Sequence, residues 1–181
     1  MDRRCSILIQ KDIGVVLAHT GLGAGDRVID AGTGAGAIAL NFGNVVGEKG
    51  KVFSYEIRED FAQVAKKNID DFGITNIEIK NKDIKQGIDE EEIDLVFLDL
   101  PKPFEIFEDV YKNLRLGGWL AVYAPYIQQA EISYKISKKV GFSDIKILET
   151  LEREMEVRPQ GTRPKTRMVG HSGYLIFARK L

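Results

Sequence analysis

Short apolar runs alternate with longer stretches in which apolar positions recur at the helical period. "DRVIDAG" and "GKVFSYE" read as strands, with "AIALNFGNVVG" as a helix between them. "REDFAQVAKKNIDDFG" places Phe61, Val64, Ala65, Ile69 and Phe72 on one side of a helix that stops at Gly73. "NIEIKN" and "IDLVFLDL" are further strands. "FEIFEDVYKNLRLGG" is predicted to be a helix running to Gly117–Gly118, followed by the strand "WLAVYAP". "IQQAEISYKISKKVGF" is a helix closing at Gly141, and "DIKILET" and "GYLIFARK" form a late antiparallel pair. Near the start, "DIGVVLAHT" is helical, with His19 at its C-terminal end. Near-continuous apolar strands alternating with helices predict an α/β fold: a seven-stranded, mostly parallel sheet with a late antiparallel strand and helices on both faces. With 181 residues, no internal repeat and no low-complexity linker, residues 1–181 are expected to form one domain.

Charge changes this picture only locally. Lys and Arg number 26 against 27 Asp and Glu, so no global basic field exists. The acidic stretch Asp83–Asp94 reads as a solvated loop or helix start. "RPQGTRPKTR", Arg158–Arg167, holds four cations and no acid, and interrupts the late strand pair as a basic loop. With Arg3, Arg4 and Lys11 it offers candidate phosphate contacts. Cys5 is the only cysteine, which excludes an internal disulfide and a cysteine-based metal site; His19 and His171 show no ligand spacing, so no metal is expected. No apolar run approaches about 18 residues and the N-terminus lacks a signal-peptide layout, so a cytoplasmic protein without membrane contact is expected.

"VIDAGTGAGAIAL" puts Asp30 at the end of the first strand, followed by Gly32, Thr33, Gly34, Ala35 and Gly36 and then a helix, the layout of a Rossmann-like ligand loop. Gly32-x-Gly34-x-x-Ala37 alone also satisfies the relaxed dinucleotide fingerprint. Three further acids narrow the choice. Glu56 ends the second strand, where a carboxylate can accept ribose hydroxyls; Asp83 follows the third, where it could meet an adenine amine; Asp99 ends the fourth. Four acids at successive strand ends would repel a pyrophosphate, whereas S-adenosyl-L-methionine has a cationic sulfonium, a free ammonium and no phosphate. Asp99 is followed by Pro101 and Pro103, which disfavour a helix starting at the acid and keep the backbone after it extended.

These residues make the chain resemble class I S-adenosylmethionine-dependent methyltransferases, and more narrowly the tRNA (adenine-N1)-methyltransferases that modify position 58 of the T-loop. The resemblance rests on "RRCSILIQKD", "AGTGAG", "SYEIRED", "LDLPKP", "YAPYIQQ", "EREMEVRP" and "GHSGYLIFARK". It implies that Asp30 and Gly32–Gly36 bind the methionine side of the donor, Glu56 the ribose, and Asp83 with Ile84 the adenine. Ser6, Ile7 and Leu8 would close over the donor. Asp99 would stand beside the transferring methyl and the target base, with Pro101, Gln129, Arg153, Glu154, Arg163, Lys165, Arg167 and His171 on the tRNA side. The resemblance also implies a homotetramer, with "WLAVYAP" or "DIGVVLAHT" as possible interface segments. Relatives usually carry a small β-rich domain before the segment that starts here at Arg3, and they tend to have Tyr-Pro at Ile9-Gln10 and Trp at Met155. Two other readings share the glycine loop: a small-molecule methyltransferase such as a decarboxylating corrinoid-precursor methylase, and a non-catalytic RNA-binding subunit. A third, a nicotinamide oxidoreductase, would need a proton relay that this chain does not offer.

Overall fold

The computed structural model of the chain describes residues 8–181; Ser6 and Ile7, together with Arg3, Arg4 and Cys5, lie outside the described residues. The elements in order are α1 (Gln10–Thr20), β1 (Arg27–Ala31), α2 (Ala37–Val46), β2 (Lys51–Tyr55), α3 (Glu59–Phe72), β3 (Ile77–Lys80), β4 (Ile93–Leu98), α4 (Phe107–Asn113), β5 (Leu114–Ala124), α5 (Ile127–Val140), β6 (Ser143–Leu148), β7 (Met155–Arg158), β8 (Gly161–Pro164) and β9 (Tyr174–Arg179). Single 3-10 turns occupy Ile84–Gln86 and Pro103–Ile106.

Seven strands form one sheet in the order β3-β2-β1-β4-β5-β9-β6. The pairs from β3 through β5 are parallel, and β9 runs antiparallel to both β5 and β6. The middle strands are apolar without alternation because both faces are covered. On one face Val16 of α1 and Phe42 and Val46 of α2 pack over Val28, Leu95, Phe97 and Phe177. On the other, Phe107 and Val110 of α4 and Ala130 of α5 pack over Ile29, Val96, Leu98 and Ile176. The chain leaves β1 toward β3 and then returns to β4 on the opposite side of β1. That reversal opens a crevice at the carboxyl ends of β1 and β4.

Two elements differ from expectation. The helix expected to reach Gly118 stops at Asn113, and Leu114–Gly118 already belong to β5. The helical pattern loses to tertiary bonds here. Lys180 Nζ donates to the carbonyls of Lys112 (3.2 Å) and Leu114 (2.6 Å), Lys180 O accepts from Gly117 N (2.7 Å), and Leu114 is buried. The register shifts between Ile93↔Leu114 and Leu95↔Trp119, so these residues form a bulge. Second, the basic segment is a hairpin of β7 and β8, paired from Met155↔Pro164 to Arg158↔Gly161 across Pro159-Gln160. Within "WLAVYAP", Leu120–Val122 are fully buried in β5 between β4 and β9, so these three residues offer no surface.

The bulge depends on Gly118, where a Cβ would stand 2.8 Å from the Ile93 carbonyl oxygen and 3.0 Å from that of Arg115. Gly118→Ala is expected to lower unfolding free energy by about 1–3 kcal/mol. Gly14→Ala, in open space on α1, should instead raise it by about 0.5–1 kcal/mol. Urea denaturation of both variants checks the contrast, and an undiminished midpoint for Gly118→Ala would refute the bulge.

Candidate active site

Strand β1 ends in Asp30 and Ala31, and the chain then turns through three glycines with positive φ: Gly32 (94°), Gly34 (53°) and Gly36 (83°). Gly32 is where the turn most needs glycine. A Cβ there would lie 2.3 Å from the Asp99 carbonyl oxygen, so the loop can pass the end of β4 only without a side chain. The loop is tied to β2 by Gly32 N and Thr33 N, both donating to Tyr55 O at 3.1 and 3.3 Å. Asn68 Nδ2 on α3 donates to Ala35 O at 2.9 Å.

The acids sit within this frame. Asp30 is fully buried; one oxygen accepts from Ser54 Oγ (2.6 Å), which is also bonded to Thr33 Oγ1 (2.6 Å), while Oδ1 has no partner among the described residues. Glu56 accepts from Gly34 N through Oε2 and from Arg58 N through Oε1, each at 3.0 Å. The expected ribose acid is thus also the anchor of the glycine loop. Asp99 N donates to Ala31 O at 2.9 Å, fixing the end of β4 to the end of β1. Asp83 accepts from Lys85 N (3.0 Å) and caps the turn whose first residue, Ile84, is buried.

Electrostatics separate these four. Burial pushes the Asp30 carboxyl up to about 7 despite the Ser54 hydrogen bond, with further upward contributions from Asp99 and Glu56. Burial also raises Asp99 to about 6. Asp99 and Glu56 both act on Asp30, and among the described residues no cation contributes to the shift of Asp30 or Asp99. Asp83 belongs to the rim; it acts on Lys85 instead. Such a crevice favours a ligand with positive charge and hydroxyl donors, and it would repel a pyrophosphate.

On the other side of Asp99, Pro101 turns its carbonyl toward α5, where Gln129 Nε2 donates to it at 3.1 Å. The next helical turn starts only at Pro103, so Asp99 caps nothing. His171 bridges Pro125 O (3.1 Å) at the end of β5 and Glu149 (2.7 Å), whose hydrogen bond raises its pKa. Gln129, Pro101 and His171 thus line the loops that follow β4 and β5. Arg153, Glu154, Arg163, Lys165 and Arg167 are exposed on and beside the β7–β8 arm. Glu154, Lys165 and Arg167 line a cavity of about 600 Å³ that also reaches Ile9 and Lys11. Leu8 lines a second cavity of about 700 Å³ beside Ala37, the residue after Gly36.

Lys11 corrects one expectation. Its ammonium is buried, donating to Asp12 Oδ1 (2.6 Å) and Ser172 Oγ (2.7 Å), and so is not offered to phosphate. Tyr123 Oη donates to the carbonyl of the same Ser172, and its pKa is raised by burial, by Asp12 and by Asp99. Tyr123 rather than the exposed Tyr126 therefore belongs to the Asp99 surroundings. Ser54 was also missed; a lone hydroxyl inside the apolar run "VFSYE" was its only signal.

Comparison with known proteins fits this geometry. Residues 1–163 match the family described as tRNA methyltransferase complex GCD14 subunit. The chain is 37% identical, over 99% of its length and 73% of the relative's, to the tRNA (adenine(57)-N(1)/adenine(58)-N(1))-methyltransferase TrmI of Methanocaldococcus jannaschii. It superposes on the tRNA (m1A58) methyltransferase TrmI of Aquifex aeolicus with a TM-score of 0.92 at 29% identity, covering 100% of this chain and 72% of that one. A SAM-dependent O-methyltransferase of Thermotoga maritima gives 0.95 at 36% identity, covering 98% and 68%.

The raised carboxyls make a stability prediction. Between about pH 4 and pH 7 folded Asp30 keeps a proton that the unfolded chain has released. Its contribution therefore favours the fold at the acidic end and is lost as pH rises through that window. Thermal melts across it should fall less steeply for Asp30→Asn than for the parent; parallel slopes would contradict the assignment.

Proposed function

The chain belongs to the GCD14 tRNA methyltransferase family, and on that premise we propose that it transfers the methyl group of S-adenosyl-L-methionine to N1 of adenine in the T-loop of tRNA. The observation that carries the donor half is the group Asp30, Glu56 and Asp99 at the ends of three neighbouring strands, in which Asp99 and Glu56 both raise the buried Asp30. The orphaned, buried Oδ1 of Asp30 and the glycine turn at Gly32 fit a cationic, hydroxyl-rich ligand held close to the backbone. When bound, S-adenosyl-L-methionine supplies an already activated methyl group on a sulfonium. The acceptor half is supported by the names of the relatives.

In this reading Asp30 and Gly32–Gly36 hold the methionine end, Glu56 the ribose hydroxyls, and Asp83 with Ile84 the adenine, with Leu8 closing the near side. The work left to the protein is alignment of nucleophile, methyl and leaving sulfur. Adenine N1 is a weak base, and methylation there builds positive charge on the purine. Asp99, by accepting a hydrogen bond from the exocyclic amine, orients the ring and stabilises that charge, and its raised pKa lets it hold the amine's proton at the carboxylate. Gln129 keeps the Pro101 carbonyl in place beside it.

A T-loop adenine is stacked, so presenting its Watson–Crick edge requires extrusion at a cost of a few kcal/mol. The β7–β8 arm is suited to offset this. From Arg153 to Arg167 it carries five cations and two acids. Arg158 and Lys165 pair with Glu156 and Glu154 at 2.7 and 2.6 Å, but exposed pairs of this kind contribute only about 0–1 kcal/mol and can be surrendered to phosphate. Arg167 has no ion-pair partner among the described residues. We place the enzyme in the cytoplasm as a homotetramer, the assembly the family resemblance implies; among the described residues no helix is long and apolar enough to cross a membrane.

Incubation with unmodified tRNA and methyl-labelled donor, followed by nucleoside analysis, should put the label in 1-methyladenosine. Label on an oxygen acceptor would instead favour the chemistry named for the Thermotoga maritima relative. Asp99→Asn should lower kcat by roughly 100-fold or more. Neutralising Arg163, Lys165 and Arg167 together should weaken tRNA binding and reduce its log–log salt slope by up to about 2–3, with donor affinity unchanged. A salt slope equal to the parent's would remove the arm from the tRNA interface.

A further inference from the structure

Within the acidic stretch Asp83–Asp94, Asp89, Glu91 and Glu92 are exposed as its composition predicts, but Glu90 is only 6% exposed. One Glu90 oxygen accepts from Tyr55 Oη at 2.5 Å and the other pairs with Lys80 Nζ. Lys80 also reaches Asp89 at 3.3 Å, and Lys82 reaches Asp89 at 2.9 Å. The Lys80 ammonium lies 5.4 Å from the centre of the Tyr55 ring and 5.6 Å from that of Phe53. These bonds join the two ends of the segment 81–88, whose centre is the turn of Asp83 and Ile84.

The same residues hold the crevice through their backbone. Tyr55 O accepts the amides of Gly32 and Thr33, and Lys80 O accepts from Glu56 N at 3.0 Å. Asn81 Nδ2, next to Lys80, donates to Glu56 O at 2.8 Å. Tyr55 and Lys80 thus each place a side chain on Glu90 and a carbonyl on the glycine loop or on Glu56. A buried ion pair adds little net stability compared with apolar packing, although losing one partner is damaging. Its use at this position is geometric.

We infer that the Tyr55–Glu90–Lys80 cluster is a clasp that fixes Asp83 and Ile84 relative to Glu56, which makes Glu90 a positioning residue for the adenosine half of the donor site. The inference rests on the donor reading above, and titration calorimetry separates the two. Parent protein that binds neither S-adenosyl-L-methionine nor 5′-methylthioadenosine overturns the donor reading. Once parent binding is measured, Glu90→Gln should weaken both ligands by about tenfold, with the kinetic loss in donor KM rather than kcat and tRNA affinity unaltered. Tyr55→Phe removes one hydroxyl, keeps the Lys80 pair, and should weaken both ligands by about threefold; it decides the matter if Glu90→Gln does not fold. Parent-like affinity for 5′-methylthioadenosine in the folded variants overturns the clasp. So does a uniform loss of donor and tRNA binding that follows the melting temperature, which would mark a merely structural role.

Discussion

Carboxylates held close together in a dry crevice repel one another, and much of this molecule is arranged to keep them there. Asp30 is fully buried and shares its field with Asp99 and Glu56. Each is fixed by main chain: Asp99 by the Ala31 carbonyl, Glu56 by the amides of Gly34 and Arg58, Asp30 by its place inside β1. Burial raises the Asp30 and Asp99 carboxyls to about 7 and about 6, so part of this charge is held back as bound protons at acidic pH.

The acids are also structural members. Glu56 closes the glycine loop, Asp83 caps its turn, and the ends of β1 and β4 are bonded to each other through Asp99. The atoms proposed to hold the donor also hold the fold, so a substitution at these positions changes both. The side proposed for the acceptor is organised differently. Gln129 of α5, Tyr123 of β5 and His171 each bond one loop carbonyl, those of Pro101, Ser172 and Pro125, while the cations proposed for tRNA stand on or beside an exposed hairpin.

Much of this was legible in the chain itself. The strand and helix order, the glycine turn and the acids at the ends of β1, β2 and β4 follow from apolar periodicity and from residue types with few other uses at such positions. The helix end at Asn113 did not, because it depends on Lys180, far away in sequence, bonding the carbonyls of Lys112 and Leu114. The hairpin at Met155–Pro164 was hidden by its basic composition, which resembles that of a loop.

Local patterning determined which segments would be strands and helices, and which acids would stand at strand ends, because side-chain period and turn chemistry act over a few residues. Only the tertiary structure decided which charges are exposed. Lys11 and Glu90 look like surface residues in sequence, yet one is buried against Asp12 and Ser172 and the other between Tyr55 and Lys80. Burial depends on which distant strands come together, and the free energy of a charge depends on burial more than on its neighbours in the chain.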